Sequence, residues 1–239
     1  MMKMLPPCLF LLLLLTSCGG ASSDAPRSTG TPPDYSAALA RVSDYIESRM
    51  QQDQVAGLAI ALVDGSEVVW AKGFGYADLA EGVRISPETI FEIGSISKLI
   101  TTCIVMRERE KGLIDLDRPV DGSLPGYEIN QAFPESGPIT LRNMMTHHSG
   151  IPGDILIGAM TTEYDPCYLD WTLDYLRNDF TAYPVNFVFS YSNTAGFLEG
   201  AAVAAAVGRP FVELGDEFMA DLGMSDSSFV FQPDRKSVV

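Results

Sequence analysis

Phe91-Glu92-Ile93-Gly94-Ser95-Ile96-Ser97-Lys98 is the stretch on which the reading of this chain turns. It is followed by the helix-compatible run Leu99, Ile100, Cys103, Ile104, Val105, Met106. The pattern predicts a loop that turns into a helix near Gly94, with Ser95 at or just inside the helix start. Residues three apart share a helix face, so Lys98 would stand one turn above the Ser95 hydroxyl. The plain reading is a serine N-cap on an ordinary helix. That reading explains Ser95 but not Lys98. The third position of a capped helix favours Glu or Gln, and a lysine there aims its charge at the positive end of the helix dipole. A placement that disfavours the cation suits a base beside a serine nucleophile.

Composition narrows the classes. The chain has 239 residues, 46% of them hydrophobic, enough for one sizeable core or two small ones. A formal net charge of −15 repels phosphate backbones, so no nucleic-acid partner is expected. No zinc-type cysteine spacing occurs. The two histidines, His147 and His148, are adjacent and would point about 100° apart on a helix, a poor pair of metal ligands. No metal or cofactor is implied.

Residues 1–18 read as an export signal: Lys3 and the amino terminus are positive, and residues 5–15 form an apolar core too short for a stop-transfer helix. Leu15-Thr16-Ser17-Cys18 resembles a bacterial lipobox, which implies a lipid anchor at Cys18 and a place on the periplasm-facing side of the inner membrane or at the outer membrane. Ordinary secretion with a nearby cleavage is the plainer alternative. Residues 19–33, rich in Gly, Ser, Thr and Pro, read as a flexible tether. Cys103 falls on the inner stripe of its helix and is expected as a buried free thiol; an exported protein would also permit a disulfide with Cys167.

Further along, Asp34 is expected to cap a helix over 35–52. Residues 57–63 and 67–73 read as strands joined by a hairpin turn at Asp64-Gly65-Ser66. The first is apolar throughout and is expected to be buried on both faces. Helices are expected over 95–111, from Thr140 to about 146, and over 170–178, 193–207 and 211–222. Gly112 and Gly208 stand at the positions that end two of them.

A second constellation, Phe189-Ser190-Tyr191-Ser192-Asn193, lies 96 residues beyond Ser95 at the mouth of a helix. With Ser95-x-x-Lys98 and Tyr191-x-Asn193 in this order, the chain resembles the serine β-lactamase/penicillin-binding-protein superfamily, in its branch of class C β-lactamases, D-alanyl-D-alanine carboxypeptidases and esterases. Gly73-Phe74-Gly75-Tyr76-Ala77-Asp78, Ile139-Thr140-Leu141-Arg142, Thr146-His147-His148-Ser149-Gly150-Ile151-Pro152 and Leu222-Gly223-Met224 match that branch in order, and the likeness runs over about 35–231.

The resemblance implies an α/β (α+β) fold, an antiparallel sheet flanked by helices plus a helical subdomain over about 86–215, within a domain over 34–239. The site would lie between the two parts. It implies Ser95 as nucleophile, Lys98 and Tyr191 as the pair that takes its proton, and Asn193 as the side chain that positions substrate and lysine. The Ser95 N–H would be half of an oxyanion hole. Asn193 could also cap its helix. The histidine turn has a packing role in the family. The implied activity is hydrolysis or acyl transfer through an acyl-Ser95 ester, on a β-lactam, a D-Ala-D-Ala (peptidoglycan) peptide or an ester. Two departures stand out. The Lys/His-x-Gly strand that the family carries after the tyrosine motif is not present, so the expectation is a C-terminally truncated member with an incomplete sheet and one open, sticky strand edge. Pro184-Val185-Asn186 also stands where the family usually has a Pro-Gly turn. The competing class is a non-catalytic, membrane-tethered binding or sensor lipoprotein, or an inactive fragment.

Overall fold

A computed structural model describes residues 33–155, 165 and 167–230. The signal segment, Cys18 and nearly all of the tether lie outside the described residues, as does the tail 231–239. The backbone divides into two compact units, 1–49 and 50–239. The described part of the first is most of helix α1 (Ser36–Asp53), whose start is met by Asp34: its carboxylate accepts the Ser36 N–H at 2.9 Å.

The second unit opens with a hairpin. Strand β1 (Gly57–Asp64) pairs antiparallel with β2 (Glu67–Asp78), and the short β3 (Val83–Arg84) pairs with β2 on its other side, in the order β1-β2-β3. Gly65, at φ 63°, supplies the left-handed residue that the tight connection needs. The expected burial of β1 on both faces is not what is found. None of its residues is buried, and Val63 and Val68 at the hairpin tip are 56% and 64% exposed. The run is apolar enough for a double-sided core, but among the described residues β2 is the only strand that pairs with it.

The core sits in the helical remainder. Helices α2 (Ile96–Glu110), α3 (Leu141–Met145), α4 (Tyr168–Arg177), α5 (Asn193–Val207) and α6 (Phe211–Asp221) follow within two residues of the expected bounds. Ile104 and Val105 of α2, Leu141 and Met144 of α3, Leu173 and Leu176 of α4, and Ala195, Leu198, Ala202 and Val203 of α5 form one buried cluster with Leu116, Val120 and Ile151 from the connections. α5 packs against α2, α3 and α6. Its Ala and Gly residues let backbones approach, as where the Phe211 ring lies 3.4 Å from the position of a Cβ on Gly200. α3 opens with a reciprocal cap between Thr140 and Asn143, and α5 ends at Gly208 in the left-handed conformation. Inside the core, the Glu108 carboxylate is paired with Arg107 at 3.1 Å and Lys111 at 2.9 Å. Cys103 is half-buried rather than buried, because it stands across α2 from the buried residues Thr101, Ile104, Val105 and Glu108; it and the exposed Cys167 are both free thiols.

Candidate active site

Ser95 occupies the N-cap position of α2, directly after Gly94 at φ 52°. Its side chain makes no capping bond. That separates it from an ordinary cap: the hydroxyl is left over for other partners, and it is exposed. The first turn is closed instead by backbone bonds, Ser97 N–H to the Gly94 carbonyl and Lys98 N–H to the Ser95 carbonyl, both at 3.1 Å. Lys98 then rises over the serine as its spacing predicts, and its Nζ reaches Ser95 Oγ at 3.3 Å.

The second half of the site comes from the segment that leads into α5. Ser190 N–H donates to the His147 carbonyl at 2.8 Å, and Asn193 N–H to the Gly153 carbonyl at 2.7 Å, so the histidine turn and Gly153 hold the tyrosine segment against them as a strap. Gly150 at φ 72° permits this turn; a Cβ there would stand 2.1 Å from the Tyr183 carbonyl oxygen. The strap delivers the Tyr191 hydroxyl to 2.6 Å from Ser95 Oγ. It also delivers Asn193, whose Oδ1 accepts from Lys98 Nζ at 2.6 Å. Lys98 and Tyr191 thus converge on the Ser95 oxygen, and Asn193 holds the lysine, across 95 and 96 residues of chain.

Asn193 does not cap α5. Ser192 does, accepting the Ala195 N–H at 2.9 Å, because its shorter side chain sits at the extended residue before the helix. The Asn193 amide is thereby released to face the lysine. Three further residues shape the site. Asp154 Oδ1 accepts from Asn193 Nδ2 at 2.6 Å, which fixes the amide with its oxygen toward Lys98. Gly196 lets the lysine pass: a Cβ there would stand 2.9 Å from Lys98 Cε. The His147 ring lies 4.4 Å from the Tyr191 ring, centroid to centroid, and walls it in. Burial, then the Lys98 charge and His148, hold the His147 imidazole below its ordinary range, which favours the neutral ring. His147 Nδ1 accepts from the Ser192 N–H at 3.4 Å, consistent with a packing role. Asn186, at the Pro-Gly position, takes φ 62°, a conformation asparagine tolerates, and its Oδ1 accepts from Asn143 Nδ2 at 2.8 Å. The turn thus keeps its left-handed residue without the glycine.

Chemically, a serine oxygen within hydrogen-bond distance of a phenol and an amine can lose its proton as it attacks an acyl carbon. A backbone N–H at a helix start, where that of Ser95 stands, is a kind of donor that can stabilise an oxyanion.

The chain is similar to known proteins along most of its length. The family model described as Beta-lactamase matches residues 42–236. Among curated relatives, Esterase EstB of Burkholderia gladioli is 27% identical over 218 residues, covering 86% of this chain and 55% of its own length. Among solved structures, the octameric penicillin-binding protein homologue from Pyrococcus abyssi superposes with a TM-score of 0.72 at 26% identity, over 84% of this chain and 47% of its own. The β-lactamase/D-alanine carboxypeptidase from Yersinia pestis gives a TM-score of 0.71 at 24% identity, over 85% of this chain and 60% of its own. The chain thus spans about half the length of the relatives it matches. Its fold is the β-lactamase/transpeptidase fold, and the chain belongs to the Beta-lactamase family of serine hydrolases.

Proposed function

We propose that this chain supports hydrolysis or acyl transfer through an ester on Ser95, with a β-lactam, a D-Ala-D-Ala peptide or a carboxylic ester as acyl donor. One observation carries the reading: Ser95 Oγ stands 2.6 Å from the Tyr191 hydroxyl and 3.3 Å from Lys98 Nζ, while its own helix makes no use of it as a cap. As Oγ attacks the acyl carbon, its proton passes to the Lys98–Tyr191 pair, which returns it to the leaving group. Water then attacks the acyl-Ser95 ester, giving its proton to the same pair, and Ser95 is regenerated. Asn193 holds Lys98 in register throughout, and Asp154 holds Asn193. The relatives named as an esterase and as a β-lactamase/D-alanine carboxypeptidase support the acyl class.

The test compares turnover of a chromogenic cephalosporin, a D-Ala-D-Ala peptide and a p-nitrophenyl ester by the chain and by Ser95→Ala. Turnover of at least one that disappears in the variant is expected. Ligand binding without turnover by either protein would favour a binding or sensor role instead. As further parts of the same reading, residues 34–239 form a partial hydrolase domain with its helical subdomain at about 86–215, and export ends with a lipid on Cys18. Labelled palmitate incorporated by cells expressing the chain, and not by cells expressing Cys18→Ala, is the expected result; equal labelling would contradict it.

A further inference from the structure

Glu199 is a buried ionisable group that takes no part in the steps above and, unlike Glu108, has no ion pair among the described residues. Glu199 lies on α5, six residues past Asn193, and is 2% exposed. Its Oε2 has no hydrogen-bond partner among the described residues. A carboxylate left alone in a protein interior is costly, and such groups pair, bond or keep their proton. The position of Glu199 says which neighbour matters. Gly196 precedes it by one helical turn on the same face, and the Lys98 side chain runs over Gly196, with Cγ, Cδ and Cε all 3.2 Å or less from the place of a Cβ. Lys98 therefore crosses the same face of α5 on which Glu199 is buried, with its ammonium at Asn193.

The other charged groups around α5 are engaged elsewhere. On α2, Arg107 and Glu108 pair with each other, and Lys111 pairs with Glu108. Arg142 of α3 pairs with Asp117. On α6, Glu213 and Glu217 pair with Arg209, and Asp221 with Arg107. Asp216 of α6 accepts from Ser228. On its outer side Lys98 faces Tyr191 and Asn193, with Asp154 behind the asparagine and His147 behind the tyrosine. Burial pushes the Glu199 carboxyl up to about 8 against the opposing pull of the Lys98 charge.

We propose that Glu199 is a positioning residue that acts through Lys98: protonated, it leaves the lysine charge without a counter-ion and so eases loss of the lysine proton, which frees Lys98 to take the proton of Ser95; ionised, it holds Lys98 as the cation and makes that loss harder. This rests on the acyl-Ser95 reading for its consequence, but not for its physical test.

That test is carbon NMR of the full chain labelled at Glu Cδ and Lys Cε, titrated from about pH 5 to about pH 10, for the native protein, Glu199→Gln and Glu199→Met. The native Glu199 signal should titrate near pH 8. Lys98 Cε should show a step at the same pH, and both variants should lose that step. A Glu199 carboxyl already ionised at pH 6, or Lys98 curves that coincide in native and variant proteins, overturns the proposal. If neither variant folds, the native protein decides: the Glu199 and Lys98 steps must coincide in pH, and a Lys98 signal with no step at the Glu199 transition overturns the proposal. The same samples, treated with a fluorophosphonate, give the catalytic consequence. Above the Glu199 transition, Ser95 labelling of the native chain should run about tenfold slower than that of Glu199→Gln, whose side chain cannot ionise, and below the transition the two should coincide. A native chain that is unlabelled at every pH contradicts the acyl-Ser95 reading and leaves the NMR result standing.

Discussion

α5 and β1 are both apolar along nearly their whole length, and they end in opposite circumstances. α5 buries eight of its fifteen residues, with Leu198 and Val203 inaccessible to solvent. β1 buries none of its eight. The difference lies in what each element needs from its neighbours. A helix satisfies its own backbone bonds, so α5 needs only side-chain partners, and α2, α3 and α6 supply them. A strand needs a hydrogen-bonded neighbour on each edge as well as cover on each face, and β2 meets one edge of β1. The four proposed site residues stand on the self-sufficient side of this contrast: Ser95 and Lys98 on α2, Tyr191 on the strap, and Asn193 at the head of α5.

Five experiments break or sharpen that contrast. The largest effect belongs to the site. Lys98→Met and Tyr191→Phe should each slow Ser95 acylation by about 10²- to 10⁴-fold, read as the rate of fluorophosphonate labelling, with melting curves unchanged in cooperativity. Losses of less than about threefold would mean that the side chains gathered by α2 and α5 do not act on the serine. Next is the proton on Glu199. Its folded-state affinity for a proton is raised above that of the unfolded chain, so the contribution of Glu199 to stability is full below about pH 4.5 and is lost as pH rises toward about 8. The loss should be on the order of 4 kcal/mol in urea melts at stepped pH, and Glu199→Gln should flatten it.

Packing comes third. Leu198→Ala removes a fully buried side chain from the junction of helices and should cost ~2–5 kcal/mol in the same melts. Fourth, Asp154→Ala frees the Asn193 amide to turn and should lower the acylation rate about tenfold, whereas Asp154→Asn, which keeps an accepting oxygen, should recover most of it. The smallest effect belongs to the hairpin: Val68→Thr, at an exposed position of β2, should change stability by no more than ~0.5 kcal/mol. Equal costs for Leu198→Ala and Val68→Thr would erase the contrast between the two regions.

Much of this was legible in the chain itself, and the residues that were not share a reason. Ser95 and Lys98 could be paired from the sequence because helical spacing puts them on one face, and the misplaced lysine marked the pair as more than a cap. Tyr191 and Asn193 were legible through the order of motifs, which no local propensity supplies. Asp154, Gly196 and Glu199 were not. Asp154 finds Asn193 across 39 residues, and nothing in Gly153-Asp154 announces it. Gly196 reads as one more small residue in an alanine-rich helix, and the lysine chain that needs its missing Cβ arrives from another element. Glu199 left a faint signal, a lone acid among Leu198, Gly200, Ala201 and Ala202, but the charge above it is visible only once α2 and α5 are packed. β1 misled for the converse reason: an apolar run states what a segment is able to bury, and only its neighbours decide whether it does.

The central claim is that Ser95 is a nucleophile armed by Lys98 and Tyr191, and intact-mass spectrometry after exposure to a fluorescent penicillin and to a fluorophosphonate tests it most directly. A single covalent adduct from at least one probe, mapped to the peptide that carries Ser95 and lost in Ser95→Ala, is the predicted result. A cooperatively folded chain that forms no adduct with either probe, or forms one that survives Ser95→Ala, would contradict it.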